Sequence, residues 1–136
     1  FINERYDFEK YFHFHPRCSQ EDFFGIIDES DIILDSFNWS GGNTHLEAIN
    51  LNKPIVTCPS DFMRGRHTGG ILKILDTEET IATSKKDYVD IAVKLAEDTN
   101  FRNNIIHKIM INKNKLYNDE EPIRHLEDMI KKKFYN

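Results

Sequence analysis

Residues able to do chemistry by type and spacing concentrate in Trp39-Ser40-Gly41-Gly42-Asn43-Thr44-His45-Leu46-Glu47-Ala48. Gly41-Gly42 allows a sharp turn, and Asn43 or Thr44 is suited to cap a helix that starts there. The first turn of a helix presents backbone N–H groups that no intrahelical carbonyl satisfies, with the positive end of the dipole behind them. Its natural partner is a phosphate. Glu47 falls one turn beyond Asn43 on the same face, where a carboxylate can accept from two ribose hydroxyls. Phosphate and ribose together describe a nucleotide. The same spacing fits a tight loop followed by a solvated glutamate equally well, and the motif by itself leaves the two readings level.

A second group is Pro59-Ser60-Asp61-Phe62-Met63-Arg64-Gly65-Arg66-His67, whose arginines offer fixed, multiple donors to phosphate. The alternative is a helix start with solvated arginines, which fits Arg64 better than Arg66. His13, His15 and His67 are not spaced as a ligand set, so no metal is expected. Cys18 and Cys58 make neither a disulfide framework nor part of a metal-spaced cluster, which fits a reducing cytoplasm.

The elements that must position these groups alternate along the chain. Ile32-Ile33-Leu34 and Ile55-Val56-Thr57-Cys58 read as buried parallel strands on either side of a helix that runs to about Leu51. Tyr11 to His15 alternates in polarity and reads as a strand ended by Pro16, and Thr80-Ile81-Ala82-Thr83 as a short fourth strand. Ser19, with Asp22 three residues on, opens a helix that buries Phe23, Phe24, Ile26 and Ile27. Thr68 to Leu75 reads as a helix in which Gly69-Gly70 permits close approach to the neighbouring backbone. Ser84 opens another, with Tyr88, Ile91, Ala92, Leu95 and Ala96 as one stripe facing the sheet. Phe101, Ile105 and Ile109 continue through a helix to about Leu116. Asp119, Glu120 and Glu121 begin the last, whose stripe is Ile123, Leu126, Ile130 and Phe134. This order predicts an α/β fold with a parallel sheet of about four strands flanked by helices and ending in helices. Ligands of such sheets bind beyond the carboxyl ends of the strands, so the loop Pro16-Arg17-Cys18, the glycine turn and residues 59–67 are expected to converge on one cleft.

At 136 residues, 39% hydrophobic and 30% charged, the chain has the composition of one globular domain. No apolar run approaches the ~18 residues of a membrane span. A net charge of −5 with interspersed signs lacks the footprint of a nucleic-acid binder, and Lys131-Lys132-Lys133 reads as a solvated helix end. The first residue is Phe1, which points to a piece of a longer protein.

Ile32-Ile33-Leu34-Asp35, the glycine block from Trp39 to Ala48, Pro54-Ile55-Val56-Thr57 and Phe62-Met63-Arg64-Gly65-Arg66, taken in this order, resemble the SPINDLY-like O-linked N-acetylglucosaminyltransferases. The bacterial members with tetratricopeptide repeats upstream are the most similar. The resemblance runs from about Tyr11 to Tyr117 and more loosely to Phe134. It implies the second lobe of a two-lobed, Rossmann-like GT-B glycosyltransferase, with residues 1–136 as one nucleotide-sugar-binding lobe and 118–136 packing back on the missing first lobe. It implies UDP-sugar as donor and no metal or other cofactor. Asn43 and Thr44 would lie at the diphosphate, Glu47 at the ribose, Arg66 in the third loop and Cys18 near the uracil, with Gly41 and Gly42 also counted among the nucleotide-binding residues. Gly42 stands where the animal enzymes have a histidine, and His45 where bacterial relatives have a small residue. The family's catalytic residues are expected upstream, so this stretch is expected to bind better than it catalyses. A protein acceptor, the upstream lobe and tetratricopeptide repeats of the same chain are the implied partners. The competing readings are a nucleotide-binding module without catalysis and a structural docking domain without nucleotide affinity.

Overall fold

The computed structural model describes residues 8–134; the opening residues 1–7 and the last two of the predicted 1–136 lobe lie outside it. The elements are α1 (Phe8–Tyr11), α2 (Gln20–Glu29), β1 (Ile33–Leu34), α3 (Asn43–Asn50), β2 (Ile55–Val56), α4 (His67–Ile74), α5 (Lys85–Glu97), α6 (Thr99–Asn112) and α7 (Glu121–Phe134). Short 3-10 turns occupy Met63–Gly65, Glu78–Thr80 and Lys113–Leu116.

β1 and β2 pair in parallel, Ile33 opposite Ile55 and Leu34 opposite Val56, with α3 as the crossover between them. The sheet is narrower than the predicted four strands. Thr80–Thr83 contributes one parallel bridge, Thr57 to Ile81, made by Thr57 N–H to the Thr80 carbonyl at 3.1 Å and Ala82 N–H to the Thr57 carbonyl at 2.7 Å. It stops there because the 3-10 turn Glu78–Thr80 precedes it and the cap of α5 at Ser84 follows. Tyr11 to His15 is not a strand: Tyr11 ends α1 and residues 12–16 have no regular structure. Alternation marks two faces but supplies no ladder, and a strand exists only through its neighbour's hydrogen bonds.

The helix starts follow local chemistry. Ser19 Oγ accepts from Asp22 N–H at 3.1 Å, Ser84 Oγ from Asp87 N–H at 3.1 Å, and the Asp98 carboxylate from Phe101 N–H at 3.0 Å. The close backbone approach expected at Gly69-Gly70 is not found: a Cβ on Gly69 would meet the side-chain ring of Pro59 at 3.0 Å, and around Gly70 there is open space.

The core gathers Ile27 of α2, Ala48 and Ile49 of α3, both residues of β2, Leu72 of α4, Tyr88 and Leu95 of α5, and Ile105 and Ile109 of α6. Asn112 at the end of α6 donates to the Leu75 carbonyl at 3.1 Å, and Lys113 donates to the Asn50 carbonyl at 2.9 Å. These bonds tie the end of α6 to the residue that caps α4 and to the last residue of α3. α7 buries none of its residues. Among the described residues no helix is long and apolar enough to cross a membrane.

Candidate functional site

The site is built from the carboxyl end of β1. Asp35 follows the strand directly and is 4% exposed. One carboxylate oxygen accepts from Ser40 Oγ at 2.9 Å and Thr57 Oγ1 at 2.7 Å, and the other accepts from the Gly41 N–H at 3.0 Å. A charge so deeply buried persists only with its lone pairs occupied, and three donors from two loops occupy these. The Asp35 carbonyl accepts from the Tyr88 hydroxyl at 2.8 Å, which brings in α5. Burial pushes the Tyr88 phenol up to about 12, and the nearby charge of Asp35 adds to this.

His45 is also buried, 4% exposed. Its Nδ1 lies 2.7 Å from Thr68 Oγ1 of α4, and its Nε2 lies 3.8 Å from Asp35. Burial lowers its pKa below the ordinary histidine value, with the Asp35 charge partly opposing. The ring also explains a glycine. A Cβ on Gly41 would stand 2.6 Å from Cδ2, Cε1 and Nε2 of His45, so only glycine fits above the imidazole.

Two sequence expectations about this turn change. No described glycine has positive φ; the left-handed residue of the loop is Asn38, at φ 66°, so Gly41 is required for space rather than for the turn. Asn43 and Thr44 do not cap α3. Gly42 occupies the cap position and offers no side chain, while its carbonyl accepts from His45 N–H at 3.0 Å and Leu46 N–H at 3.3 Å. The N–H groups of Asn43 and Thr44 make no hydrogen bond within the described residues, and both residues are exposed. Glu47 is half-buried one turn further on. Trp39, the only tryptophan of the chain, is 68% exposed at the mouth of the turn.

The third loop is fastened to this turn. Ser40 N–H donates to the Arg64 carbonyl at 2.7 Å, and within the loop itself Ser60 N–H donates to the Gly65 carbonyl at 3.0 Å. A Cβ on Gly65 would be crowded there, 2.0 Å from Ser60 Oγ, 3.1 Å from Ser60 Cβ and 3.3 Å from the Asn38 backbone. Arg64 lies over the Phe62 ring at 4.7 Å, whereas Arg66, at the start of α4, is exposed and lines an open cavity with Met63, His67 and Lys73. Cys18 is exposed and lines a different cavity, walled by residues 15–20 with Phe23 and Ile26 of α2. The structure thus brings Gly41, Gly42, Asn43, Thr44 and Glu47 together on one helix start and ties the Arg66 loop to it by direct bonds, while Cys18 sits in its own loop.

Sequence reasoning missed the parts played by Asp35 and His45. The signals were an aspartate directly after an apolar strand run, and a histidine one helical turn after Gly41.

The family model for glycosyl transferase family 41 matches residues 11–122. Among solved structures, a mutant of the Thermobaculum terrenum O-GlcNAc transferase is similar over 85% of this chain, with 25% sequence identity and a TM-score of 0.72. The chain spans 22% of the length of that protein.

Proposed function

The chain belongs to glycosyl transferase family 41, and from that premise we propose that it forms the nucleotide-sugar-binding lobe of an O-linked N-acetylglucosaminyltransferase-like enzyme. The donor in this reading is a UDP-sugar and the acceptor a protein or another hydroxyl compound. The lobe would work with a preceding one, and with tetratricopeptide repeats of the same polypeptide.

One observation carries the reading. The N–H groups of Asn43 and Thr44 are unengaged and exposed at the start of α3, directly beyond the carboxyl end of a parallel strand. A diphosphate there meets preorganised donors, and negative charge that builds on it as the glycosidic bond breaks is stabilised without reorganisation of the protein. Arg66 adds a permanent cation from the adjoining loop. Glu47 would accept from the ribose hydroxyls, and the Cys18 loop would flank the uracil. The groups that act on the acceptor would come from the preceding lobe.

Calorimetric titration of this chain with UDP tests the proposal. The expected result is saturable binding that Glu47→Ala weakens by about tenfold or more, the worth of hydrogen bonds to a charged group. No binding at millimolar UDP, or equal affinity in Glu47→Ala, would overturn it.

A further inference from the structure

We infer that His45 is a positioning residue, whose imidazole fixes the start of α3 against the start of α4 so that the glycine turn and the Arg66 loop present their donors to one ligand. For the identity of that ligand the inference rests on the nucleotide reading above. The link itself rests on geometry.

Three contacts make the link. The ring is the floor under Gly41, which a Cβ would meet at 2.6 Å. Its Nδ1 reaches Thr68 Oγ1 at 2.7 Å, and Thr68 is fully buried two residues after Arg66. Its Nε2 faces Asp35, the same carboxylate that holds the Gly41 N–H at 3.0 Å. The carboxylate favours the ring proton on Nε2, which leaves Nδ1 to accept from the Thr68 hydroxyl. Both nitrogens are therefore turned inward, and the imidazole acts on a ligand only through the two segments it joins. Arg66 moves with Thr68 because its carbonyl accepts from Gly70 N–H at 3.2 Å within the same helical turn. The hydrogen bond from Ser40 N–H to the Arg64 carbonyl is a second tie between the same segments.

The test uses this chain with Thr68→Val, Thr68→Ser and His45→Ala, each checked for folding by circular dichroism. Amide exchange at Gly41 is read by NMR against that at Ile105 and Ile109 in α6, and UDP affinity by calorimetry. Thr68→Val is expected to speed exchange at Gly41 by about tenfold relative to α6 and to weaken UDP by a similar factor, with Thr68→Ser restoring both. The double variant His45→Ala/Thr68→Val should lose little more than either single one, because both remove the same link. A general loss of stability would speed α6 as well, so selective loosening of Gly41 separates positioning from plain structural damage. If Thr68→Val does not fold, His45→Gln is read in the same way. Unchanged relative exchange at Gly41 in a folded variant, or strictly additive losses, would overturn the link. A wild-type chain that binds no UDP, with Gly41 still loosened by Thr68→Val, would overturn the nucleotide reading and support the link.

Discussion

α5 and α7 are nearly the same length, 13 and 14 residues, and both carry a clear apolar stripe. Their surroundings are opposite. α5 buries Tyr88 and Leu95, begins at a capped Ser84, and sends the Tyr88 hydroxyl to the Asp35 carbonyl beneath the glycine turn. α7 buries nothing: Ile123, Leu126, Ile130 and Phe134 are 59%, 52%, 44% and 69% exposed. Full burial of one such side chain is worth about 1.5–3 kcal/mol, and at these exposures α7 collects only part of it. Periodicity therefore specifies which face of a helix seeks cover, and the rest of the fold decides whether cover is present. The residues matched to the family end at 122, as α7 begins, which puts α5 inside the family's common fold and almost all of α7 beyond the match.

The comparison is broken most directly at Leu95, which is fully buried. Leu95→Ala is expected to cost about 2–5 kcal/mol, read as a lower urea midpoint, and a loss under ~1 kcal/mol would mean that α5 is no better anchored than α7. Next comes Tyr88→Phe, which keeps the ring and removes the donor to the Asp35 carbonyl; about 1–2 kcal/mol should be lost. A third experiment sharpens the contrast through pH. The unfolded imidazole of His45 titrates near its ordinary value, whereas burial lowers it in the fold, so below about pH 6.5 the unfolded chain binds more protons. Stability from this group is complete above that pH and falls as the pH drops toward the lowered folded value. Urea midpoints of the wild type and His45→Gln, compared between pH 7.5 and 5.5, should show a steeper fall in the wild type; parallel curves would contradict the burial of the ring. The smallest effect belongs to α7, where Leu126→Ala should stay within ~0.5 kcal/mol in this chain. A loss like that of Leu95→Ala would show the stripe to be covered in solution.

The features legible in the sequence were those whose causes lie within a few residues. Ser19 with Asp22, and Ser84 alone, marked their helices because a cap lies within three residues of the amide it satisfies, as the bonds to Asp22 and Asp87 N–H show. The strands around Ile33 and Ile55 were legible from their aliphatic runs and the turn residues between them. The width of the sheet was not, since whether Tyr11 to His15 or Thr80 to Thr83 pairs depends on neighbours distant in sequence. At the site, the helix start and the place of Glu47 followed from local pattern. The need for glycine at 41 did not, because it arises from a side chain folded back beneath it, and neither did the meeting of Asp35 with Thr57, which lie 22 positions apart.

The Asp35 carboxylate joins the end of one strand, the glycine turn and the residue after the next strand at a single point. A substitution that reshapes the turn through this carboxylate therefore reshapes the fold at the same time, and selection for a new ligand can seldom pass through it. In the nucleotide-sugar reading proposed above, variation in what is bound would fall to Asn43, Thr44, Glu47 and Arg66, none of which hydrogen-bonds the Asp35 carboxylate. On that reading the junction is frame and the four positions are surface, so a library built for altered donor preference would vary those four and leave Asp35 untouched.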